Sequence, residues 1–421
     1  MHVLFHVLLA LSAVIIAGYI LGRVCRYLGQ PPVIGEVLAG IMLGPSLLGR
    51  LAPDAQHFLF PPSAVPHLGM IAQFGVILYM FILGLELDAN ALRRRANSLL
   101  VIAKASILLP FLLGIGLAFL LYPILSTSAV PFVSFAFFLG VALAVTAFPV
   151  LARILTDRGL SKTPLGVTAL SCAAMNDVIA WCLLALVVGV AQADVGSALM
   201  VFGGALAFLA VMFFVVRPLA IRALAPTDEP ETTRGRATLL FTAMLVSALV
   251  AEWIGIHALF GAFLLGAIIP HDSAIAKSFT AKLEDLVTIV FLPAFFAFTG
   301  LRTQIGFVET ADEWLLCGLI ILVATLGKFG GTALAARWTG MTWNDSAKLG
   351  VLMNTRGLME LIVLNIGLDL GIISPKLFAM LVIMALVTTI ATSPLLSLLN
   401  KRLREPAFEK KELVEPVHSA Q

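Results

Sequence analysis

Residues 164–190 read PLGVTALSCAAMNDVIAWCLLALVVGV, an apolar run that contains one charged side chain, Asp177. A run of this length can cross the hydrocarbon core of a bilayer as a helix. A charged side chain at that depth costs roughly 2.5–3.5 kcal/mol on insertion scales and is seldom kept only to hold helices together. The stretch therefore predicts a membrane helix with an ion or proton site at Asp177.

The whole chain has the composition of a multi-pass membrane protein. Of its 421 residues, 60% are hydrophobic and 12% are charged, and its mean hydropathy is +1.03. Lipid offers the backbone no hydrogen-bond partners, and the apolar segments exceed the ~10 residues of a barrel strand, so they must be helices. The predicted fold class is all-α. Thirteen spans are predicted, at 1–22, 33–49, 68–87, 98–122, 131–153, 164–190, 197–221, 237–255, 257–270, 284–301, 313–336, 346–369 and 375–399.

Lys and Arg are concentrated in the loops after odd-numbered spans. Loops after even-numbered spans hold only Arg50, Arg302 and Lys376. Because cytoplasmic loops carry an excess of Lys and Arg, we expect the N-terminus outside and the C-terminus in the cytoplasm. The cell membrane, most simply a bacterial inner membrane, is the expected location.

The two halves of the sequence are similar to each other. GIMLG at 40–44 corresponds to AFLLG at 262–266, and FILGLE at 81–86 corresponds to AFTGLR at 297–302. Spans one to six would then repeat as spans eight to thirteen. Because the two copies are offset by seven spans, an odd number, the second copy crosses the membrane in the opposite direction to the first. Inverted repeats are typical of secondary transporters, whose sites lie where the copies meet. The alternative is that small residues merely allow close helix packing.

Spans five and twelve contain helix-breaking residues at equivalent places. AVTAFP at 144–149 includes Thr146 and Pro149, and NTRG at 354–357 includes Asn354 and Gly357. Interrupted helices expose backbone groups and dipole ends near the membrane centre, where they can surround a cation. Pro149, Asn354 and Gly357 are the predicted hinges, and Thr146 is a candidate ligand beside Asp177. A kink without function is the alternative for Pro149.

No enzyme or cofactor motif is evident. The sequence has no Walker motif, no nucleophile and base pair, and no metal-ligand set, so we expect no cofactor and a gradient as the energy source. The net charge of +3 comes from basic residues in the loops on one side of the membrane, so it does not indicate a nucleic-acid partner. The expected partners are the lipid bilayer, H⁺ and a cation.

The chain resembles the monovalent cation:proton antiporters, in the branch that contains Kef-type potassium systems and plant cation/proton exchangers. The resemblance rests on the motifs at 32–45, 81–88, 176–177, 292–301 and 354–361. It implies a homodimer with elevator-like alternating access. The implied parts are a first scaffold half (1–97), a first core half (98–196), a connector (197–236), a second scaffold half (237–311), a second core half (312–400) and a cytoplasmic tail (401–421).

The resemblance assigns roles to three polar residues within predicted spans. Asp177 matches the family carboxylate that binds either the cation, such as Na⁺ or K⁺, or a proton, so it would also be the transient metal ligand. Asn176 departs from electrogenic members, which have a second aspartate there, and this implies one-for-one, electroneutral exchange. Lys328 matches the lysine that pairs with that aspartate, and its partner here is open. For Lys328, a lysine that reaches the membrane surface is the alternative. The Asn-Asp pattern favours K⁺ over Na⁺ only slightly.

Further charged residues have two readings each. Arg356 and Glu360 are spaced to share one helix face and neutralise each other, either for structure or to support the crossing of the broken helices. Glu36, Glu86 and Glu252 could form a cation funnel, although interfacial placement explains Glu86 and Glu252 equally well. A cation-coupled solute symporter and, less favoured, a cation channel are the alternative functions. The tail is too short for the nucleotide-binding regulatory domain of Kef-type proteins, so none is expected.

Overall fold

The computed structural model describes residues 3–86, 96–126, 130–161, 163–191, 195–223, 234–270 and 273–401. Within these ranges the regular structure is helical, which confirms the all-α prediction. Nine helical segments among these residues, some of which combine successive elements, are long and apolar enough to cross a membrane. The count of thirteen spans stays a prediction. The tail after residue 401 and the loop at 87–95 lie outside the described ranges.

Helices make up almost the whole of the described chain. π-Helical turns at Met212–Val216 and Val287–Phe291 join α10 to α11 and α14 to α15. The helices are α1 Val3–Tyr27, α2 Pro32–Leu43, α3 Leu48–Leu51, α4 Pro53–Leu59, α5 Val65–Glu86, α6 Ala96–Leu125, α7 Phe132–Ala144, α8 Phe148–Asp157, α9 Pro164–Ala191, α10 Val195–Val211, α11 Arg217–Ala223, α12 Arg234–Ile254, α13 Ala258–Ile268, α14 Ala274–Leu286, α15 Leu292–Arg302, α16 Ala311–Trp338, α17 Trp343–Met353, α18 Leu358–Asp369 and α19 Pro375–Lys401.

The helix ends have local causes in the sequence. α16 begins with a capping box in which Thr310 and Glu313 satisfy each other's backbone N–H groups. Thr342 caps α17 by accepting from the Asp345 N–H. α2 begins at Pro32, whose fixed φ suits the first helical position.

The helices pack in two groups. In the first group, α2 packs against α1 and α15, and α5 packs against α13 and α15. In the second group, α6 packs against α7 and α16, and α19 packs against α16, α17 and α18. We call these the first group (α1, α2, α5, α12–α15) and the second group (α6–α9, α16–α19). Each predicted half of the chain contributes to both.

Close glycine contacts in the first group repeat the sequence similarity. A Cβ on Gly40 of α2 would overlap the Ala297 backbone of α15. A Cβ on Gly266 of α13 would overlap the Phe81 backbone of α5. Ala297 and Phe81 are the first residues of the two matching motifs at 297–302 and 81–86. The contact between α2 and α15 therefore corresponds to the contact between α13 and α5. The pairing supports an inverted repeat over simple helix packing.

The second group shows the same relation at residues that the sequence comparison did not reveal. A Cβ on Gly140 of α7 would lie 2.8 Å from the Phe111 ring of α6. A Cβ on Gly350 of α17 would lie 2.9 Å from the Phe329 ring of α16. α6 therefore meets α7 as α16 meets α17.

We expect Gly40→Ala and Gly266→Ala to lower the melting temperature of the purified protein. The added methyl group meets backbone atoms that cannot rotate away, and such overpacking costs roughly 1–3 kcal/mol. Gly318→Ala is the matched control, because a Cβ there meets nothing within 4 Å. Thermal unfolding in detergent measures the difference. Equal melting of Gly40→Ala and Gly318→Ala would contradict the close-contact interpretation.

Candidate functional site

Two helix pairs in the second group are interrupted and meet at their interruptions. Residues 145–147 separate α7 from α8, and residues 354–357 separate α17 from α18. The Ala147 N–H donates to the Thr355 carbonyl at 3.0 Å. Each non-helical segment thus satisfies a backbone group of the other, in place of a helical bond.

Two cationic side chains cap the carbonyl end of α7. Arg356 donates from Nη1 to the Ala142 carbonyl at 2.9 Å and from Nη2 to the Leu143 carbonyl at 2.8 Å. Lys328 of α16 donates from Nζ to the Ala144 carbonyl. Both cations are buried. The last carbonyls of a helix have no intrahelical partner and carry its negative dipole end, so the two side chains satisfy hydrogen bonding and charge together.

The carbonyl end of α17 is capped by hydroxyl groups instead. Thr146 donates from Oγ1 to the Met353 carbonyl at 3.1 Å. Thr355 donates from Oγ1 to the Leu352 carbonyl. Thr146, predicted as a ligand, therefore lies within the crossing, and its hydroxyl keeps acceptor capacity for a further contact.

The predicted pair of Arg356 and Glu360 forms, but not on one helix face. Arg356 Nη1 lies 3.3 Å from Glu360 Oε2, and both side chains are buried. Gly357 is the N-cap of α18, so Arg356 belongs to the non-helical segment and the shared-face prediction was wrong. Glu360 lies in the first turn of α18, at the positive end of its dipole. The off-helix position lets one guanidinium reach both Glu360 and the end of α7.

The predicted hinges lie at different places relative to the interruptions. Pro149 is the second residue of α8, where the missing N–H has no intrahelical acceptor to lose, so its predicted mid-helix position was wrong, and its role as a hinge stays a prediction. Asn354 is the C-cap that follows α17. Its N–H donates to the Gly350 carbonyl, and its Oδ1 is buried without a partner in the described chain. A Cβ on Gly357 would lie 2.6 Å from Val150.

Asp177 lies on α9, which packs against α7, α8 and α17. The side chain is 1% exposed. Neither carboxylate oxygen has a hydrogen-bond partner among the described residues. A buried charged group without partners is costly, and uptake of a proton or a monovalent cation neutralises it. A lone carboxylate with both oxygens available suits a weakly held, exchangeable ion.

Asn176 contacts the lysine whose partner the sequence left open. Lys328 has only donors, so the Asn176 amide must present its oxygen, which accepts from Nζ at 3.3 Å. Asn176 Nδ2 then donates to the carbonyls of Ala103 and Cys172, each at 3.2 Å. Thr146 Oγ1 lies 3.4 Å from the same amide. The amide joins α9 to α6, α16 and the first interruption while carrying no charge.

A cavity of about 370 Å³ lies between the two groups near the end of α1. Its lining includes Arg26 of α1, Glu36 of α2, Tyr79 of α5 and Val150 of α8. Val150 stands in the first turn of α8, directly after the interruption. The cavity therefore approaches the crossed helices from this end of the molecule.

The three predicted funnel carboxylates are not brought together. Glu36 is half-buried and lines the cavity. Glu86 is exposed at the last residue of α5. Glu252 is exposed near the end of α12, and its Oε2 accepts from the Ala258 N–H at the start of α13 at 2.7 Å. The funnel stays a prediction for Glu36, whereas the Glu252 contact is that of a helix cap.

At the opposite end of α15, polar side chains tie the two groups together. Leu292, at the first residue of α15, lines the cavity, and Arg302 is the last residue of the helix. Arg302 donates to Asn365 Oδ1 at 2.9 Å and pairs with Asp369, both on α18. Asn365 Nδ2 donates to Thr299 Oγ1 at 3.2 Å. The groups are therefore joined by these polar contacts at one end, whereas the cavity lies between them at the other.

Two residues of the site were missed in the sequence. Thr389 of α19 accepts from the Arg356 N–H at 3.0 Å and donates to the Arg356 carbonyl at 2.7 Å. Ser106 of α6 lies 2.8 Å from the Asn176 amide. Both are hydroxyl residues in otherwise apolar spans, which is the signal that could have identified them.

Comparison with known proteins agrees with this geometry. The family model described as "Sodium/hydrogen exchanger, transmembrane" matches residues 10–399. The Na(+)/H(+) antiporter NhaS4 of Synechocystis sp. is 42% identical over 369 residues, which make up 87% of this chain and 90% of that protein. The K(+)/H(+) antiporter 1 of Saccharomyces cerevisiae is 35% identical over 380 residues, 88% of this chain and 46% of that protein.

A plant relative and a solved structure extend the comparison. Cation/H(+) antiporter 17 of Arabidopsis thaliana is 41% identical over 403 residues, 94% of this chain and 48% of that protein. The chain thus spans about half the length of the yeast and plant relatives. The sodium proton antiporter MjNhaP1 from Methanocaldococcus jannaschii at pH 8 has the same fold, with a TM-score of 0.68 and 16% identity over 94% of this chain and 96% of that one. The match over residues 10–399 and the 42% identity across most of both chains place this protein in the sodium/hydrogen exchanger family, a family of secondary transporters and not of enzymes.

Proposed function

We propose that the protein exchanges a monovalent cation, K⁺ or Na⁺, for H⁺ by alternating access at Asp177. The observation that carries the proposal is a buried carboxylate with no hydrogen-bond partner in the described chain, on a helix that packs against both interrupted helix pairs. The Synechocystis relative is named for Na⁺ and the yeast relative for K⁺, so the comparisons support both cations.

Competition at one carboxylate produces exchange. The ionised group ligates a cation through its oxygens, and the protonated group is neutral and does not. Because one carboxylate cannot hold both ions, release of one is the condition for binding the other. Thr146 and the backbone of the interruptions are the proposed additional ligands, since Thr146 Oγ1 lies 3.4 Å from the amide next to Asp177 in the sequence.

The charges around Asp177 favour electroneutral exchange. Lys328 and Arg356 carry two formal positive charges, and Glu360 and ionised Asp177 carry two negative charges. Binding either H⁺ or a monovalent cation raises this sum by one, so both loaded forms have the same charge. Asn176 cannot titrate and adds no second proton to the cycle. One cation for one proton is the proposed stoichiometry.

The two helix groups correspond to the proposed scaffold and transport core. Residues 1–97 and 237–311 are the proposed scaffold and dimer interface, and residues 98–196 and 312–400 are the proposed core. The cavity at one end and the Arg302 contacts at the other support a state that is open to one side. Arg26 and Arg158 lie at the cavity end, so the positive-inside rule supports that side as cytoplasmic.

Lys328, Arg356 and Glu360 have the proposed role of charge compensation at the interruptions. Arg356 connects the carbonyl end of α7 with the carboxylate of Glu360, and both are removed from water. A buried ion pair contributes little by itself, but the loss of one partner leaves an uncompensated buried charge. The pair therefore makes the crossing sensitive to single substitutions.

We expect Asp177→Asn to abolish exchange without destabilising the protein. In proteoliposomes that contain a pH-sensitive dye, adding K⁺ or Na⁺ outside should make the lumen of wild-type vesicles alkaline as the cation enters and H⁺ leaves. The variant should show only the background rate, and Asp54→Asn, at an exposed position on α4, should behave as wild type. The carboxylate oxygens have no hydrogen bonds to lose, so the variant should melt no lower than wild type.

Undiminished exchange by Asp177→Asn would overturn the proposal. A large loss of thermal stability would instead assign a structural role to the carboxylate. Cation flux without a matching proton flux would support the channel alternative. A comparison of Na⁺, K⁺, Li⁺ and Rb⁺ in the same assay identifies the transported cation.

Charge displacement on a solid-supported membrane tests the stoichiometry. We expect a cation jump to produce no net charge movement by the wild-type protein, because one charge moves each way. In Asn176→Asp, a second carboxylate would face Lys328, and its titration should add a proton to the cycle and produce a current. A wild-type current that scales with the exchange rate would contradict electroneutral exchange.

We expect Arg356→Met to destabilise the protein by about 3–5 kcal/mol, because it leaves the Glu360 carboxylate buried without its cation. Glu360→Gln in the same background should restore part of the loss, because the remaining group is neutral. Thermal unfolding of the two single variants and the double variant gives the coupling between the residues. Additive effects would show that the pair does not act as a unit.

A further inference from the structure

A second cavity, of about 450 Å³, lies at the same end of the molecule as the Glu36 cavity and is lined by two arginines. Arg26 comes from the end of α1, and Arg158 follows the last residue of α8. The described residues that line this cavity include Gln30 and Ser393 and no acidic residue. The cavity is therefore a positively charged space between the first and second groups.

Arg158 is held in place and keeps unused donors. Its Nη1 donates to Ser397 Oγ at 3.1 Å, and its Nη2 donates to the Ser393 carbonyl at 2.9 Å, both on α19. A guanidinium has five N–H donors, so three remain. Burial lowers the pKa of Arg158 from its ordinary value, with no opposing contribution from a carboxylate. The guanidinium still stays charged at neutral pH.

Arg26 and Gln30 complete the lining from the first group. The Arg26 side chain is exposed and has no hydrogen bond or ion pair with another described residue, although it also lines the neighbouring cavity that contains Glu36. Gln30 Nε2 donates to the Ile390 carbonyl at 3.2 Å. Gln30 Oε1 is buried without a partner among the described residues, so it can accept from a hydroxyl group.

These features fit one class of ligand. Two guanidinium groups that line one cavity, of which that of Arg158 is held in place, match the oxygens of a phosphate group, and the free amide oxygen matches a hydroxyl of the same ligand. Basic pockets between membrane helices on the cytoplasmic side bind the headgroups of anionic lipids. We propose that this cavity binds a phosphate group between Arg26 and Arg158, presented by an anionic lipid headgroup or free in solution.

Occupancy of this site would connect the two helix groups. Arg26 and Gln30 belong to the α1–α2 region, and Arg158 and Ser393 belong to the second group. On the proposed function, in which the second group moves relative to the first, a bound phosphate holds the groups in the arrangement seen here and slows exchange. The binding itself does not depend on the transport proposal.

Thermal unfolding of the purified full chain tests the binding. The probes are dioctanoyl phosphatidic acid against dioctanoyl phosphatidylcholine, and inorganic phosphate against chloride at equal ionic strength. A ligand that binds the folded state raises the melting temperature in a saturable way. We expect saturation with at least one phosphate probe and a half-saturating concentration raised about tenfold in Arg26→Gln, from the loss of one charge-assisted contact.

Matched variants separate the site from general charge effects. Arg23→Gln removes a positive charge one turn earlier on α1, at a residue outside the cavity lining, and should bind as wild type. Ser397→Ala removes a contact of Arg158 but keeps its charge, so it should bind more tightly than Arg158→Gln. Saturation with the lipid alone identifies a headgroup site, and saturation with inorganic phosphate identifies a soluble anion.

Two results would overturn the proposed site. One is the absence of saturable stabilisation by either phosphate probe, and the other is equal binding by Arg26→Gln and Arg23→Gln. Exchange rates in vesicles with and without phosphatidic acid test the transport consequence separately. Binding without any change in rate would remove the regulatory role and leave the site intact.

Discussion

The central constraint is that two helices are interrupted where water cannot satisfy their ends. Carbonyl groups at the end of α7 face a low-dielectric interior, and leaving them unpaired would cost several kcal/mol. Arg356 and Lys328 supply donors and positive charge to three successive carbonyls. Glu360 then balances one of those cations from the positive end of α18. Because these side chains satisfy the carbonyl groups and one another's charges, none of them pairs with Asp177, whose two oxygens stay available.

Much of this arrangement is predictable from composition and local pattern, and the rest is not. Apolar length determines helices in a membrane, and a polar or proline-containing segment within a span indicates an interruption. The partners of Arg356 are a different matter, because the carbonyls of Ala142 and Leu143 lie 214 and 213 positions away in the chain. Spacing suggested a shared helix face for Arg356 and Glu360, and the helix in fact begins after Arg356. Pro149 indicated the right region, but proline is tolerated in the first turn of a helix, and Pro149 lies in the first turn of α8, just after the interruption.

The inverted repeat places close glycine contacts in both helix groups, but the sequence comparison found only those of the first group. In the first group, Gly40 and Gly266 press against the backbone of Ala297 and Phe81, so small residues are required in all of the matching segments. In the second group, Gly140 and Gly350 each lie in the short sequence LGV and face both the ring and the carbonyl oxygen of Phe111 and Phe329, respectively. A match of three residues is too short to identify this correspondence from the sequence.

The two interrupted helix pairs have similar backbones but different side chains at their carbonyl ends. This difference determines the charges around Asp177. The carbonyl end of α7 has two cations, whereas the corresponding end of α17 has the hydroxyls of Thr146 and Thr355. A neutral amide at Asn176 holds Lys328 by a hydrogen bond, so the lysine charge is not cancelled by an adjacent carboxylate. That charge remains to offset Asp177 when it is ionised and empty. On the proposed exchange, a proton and a monovalent cation each add the same charge to this balanced set, so the electrostatic energy does not distinguish the two loaded forms, and selection between them falls to ligand geometry around Asp177.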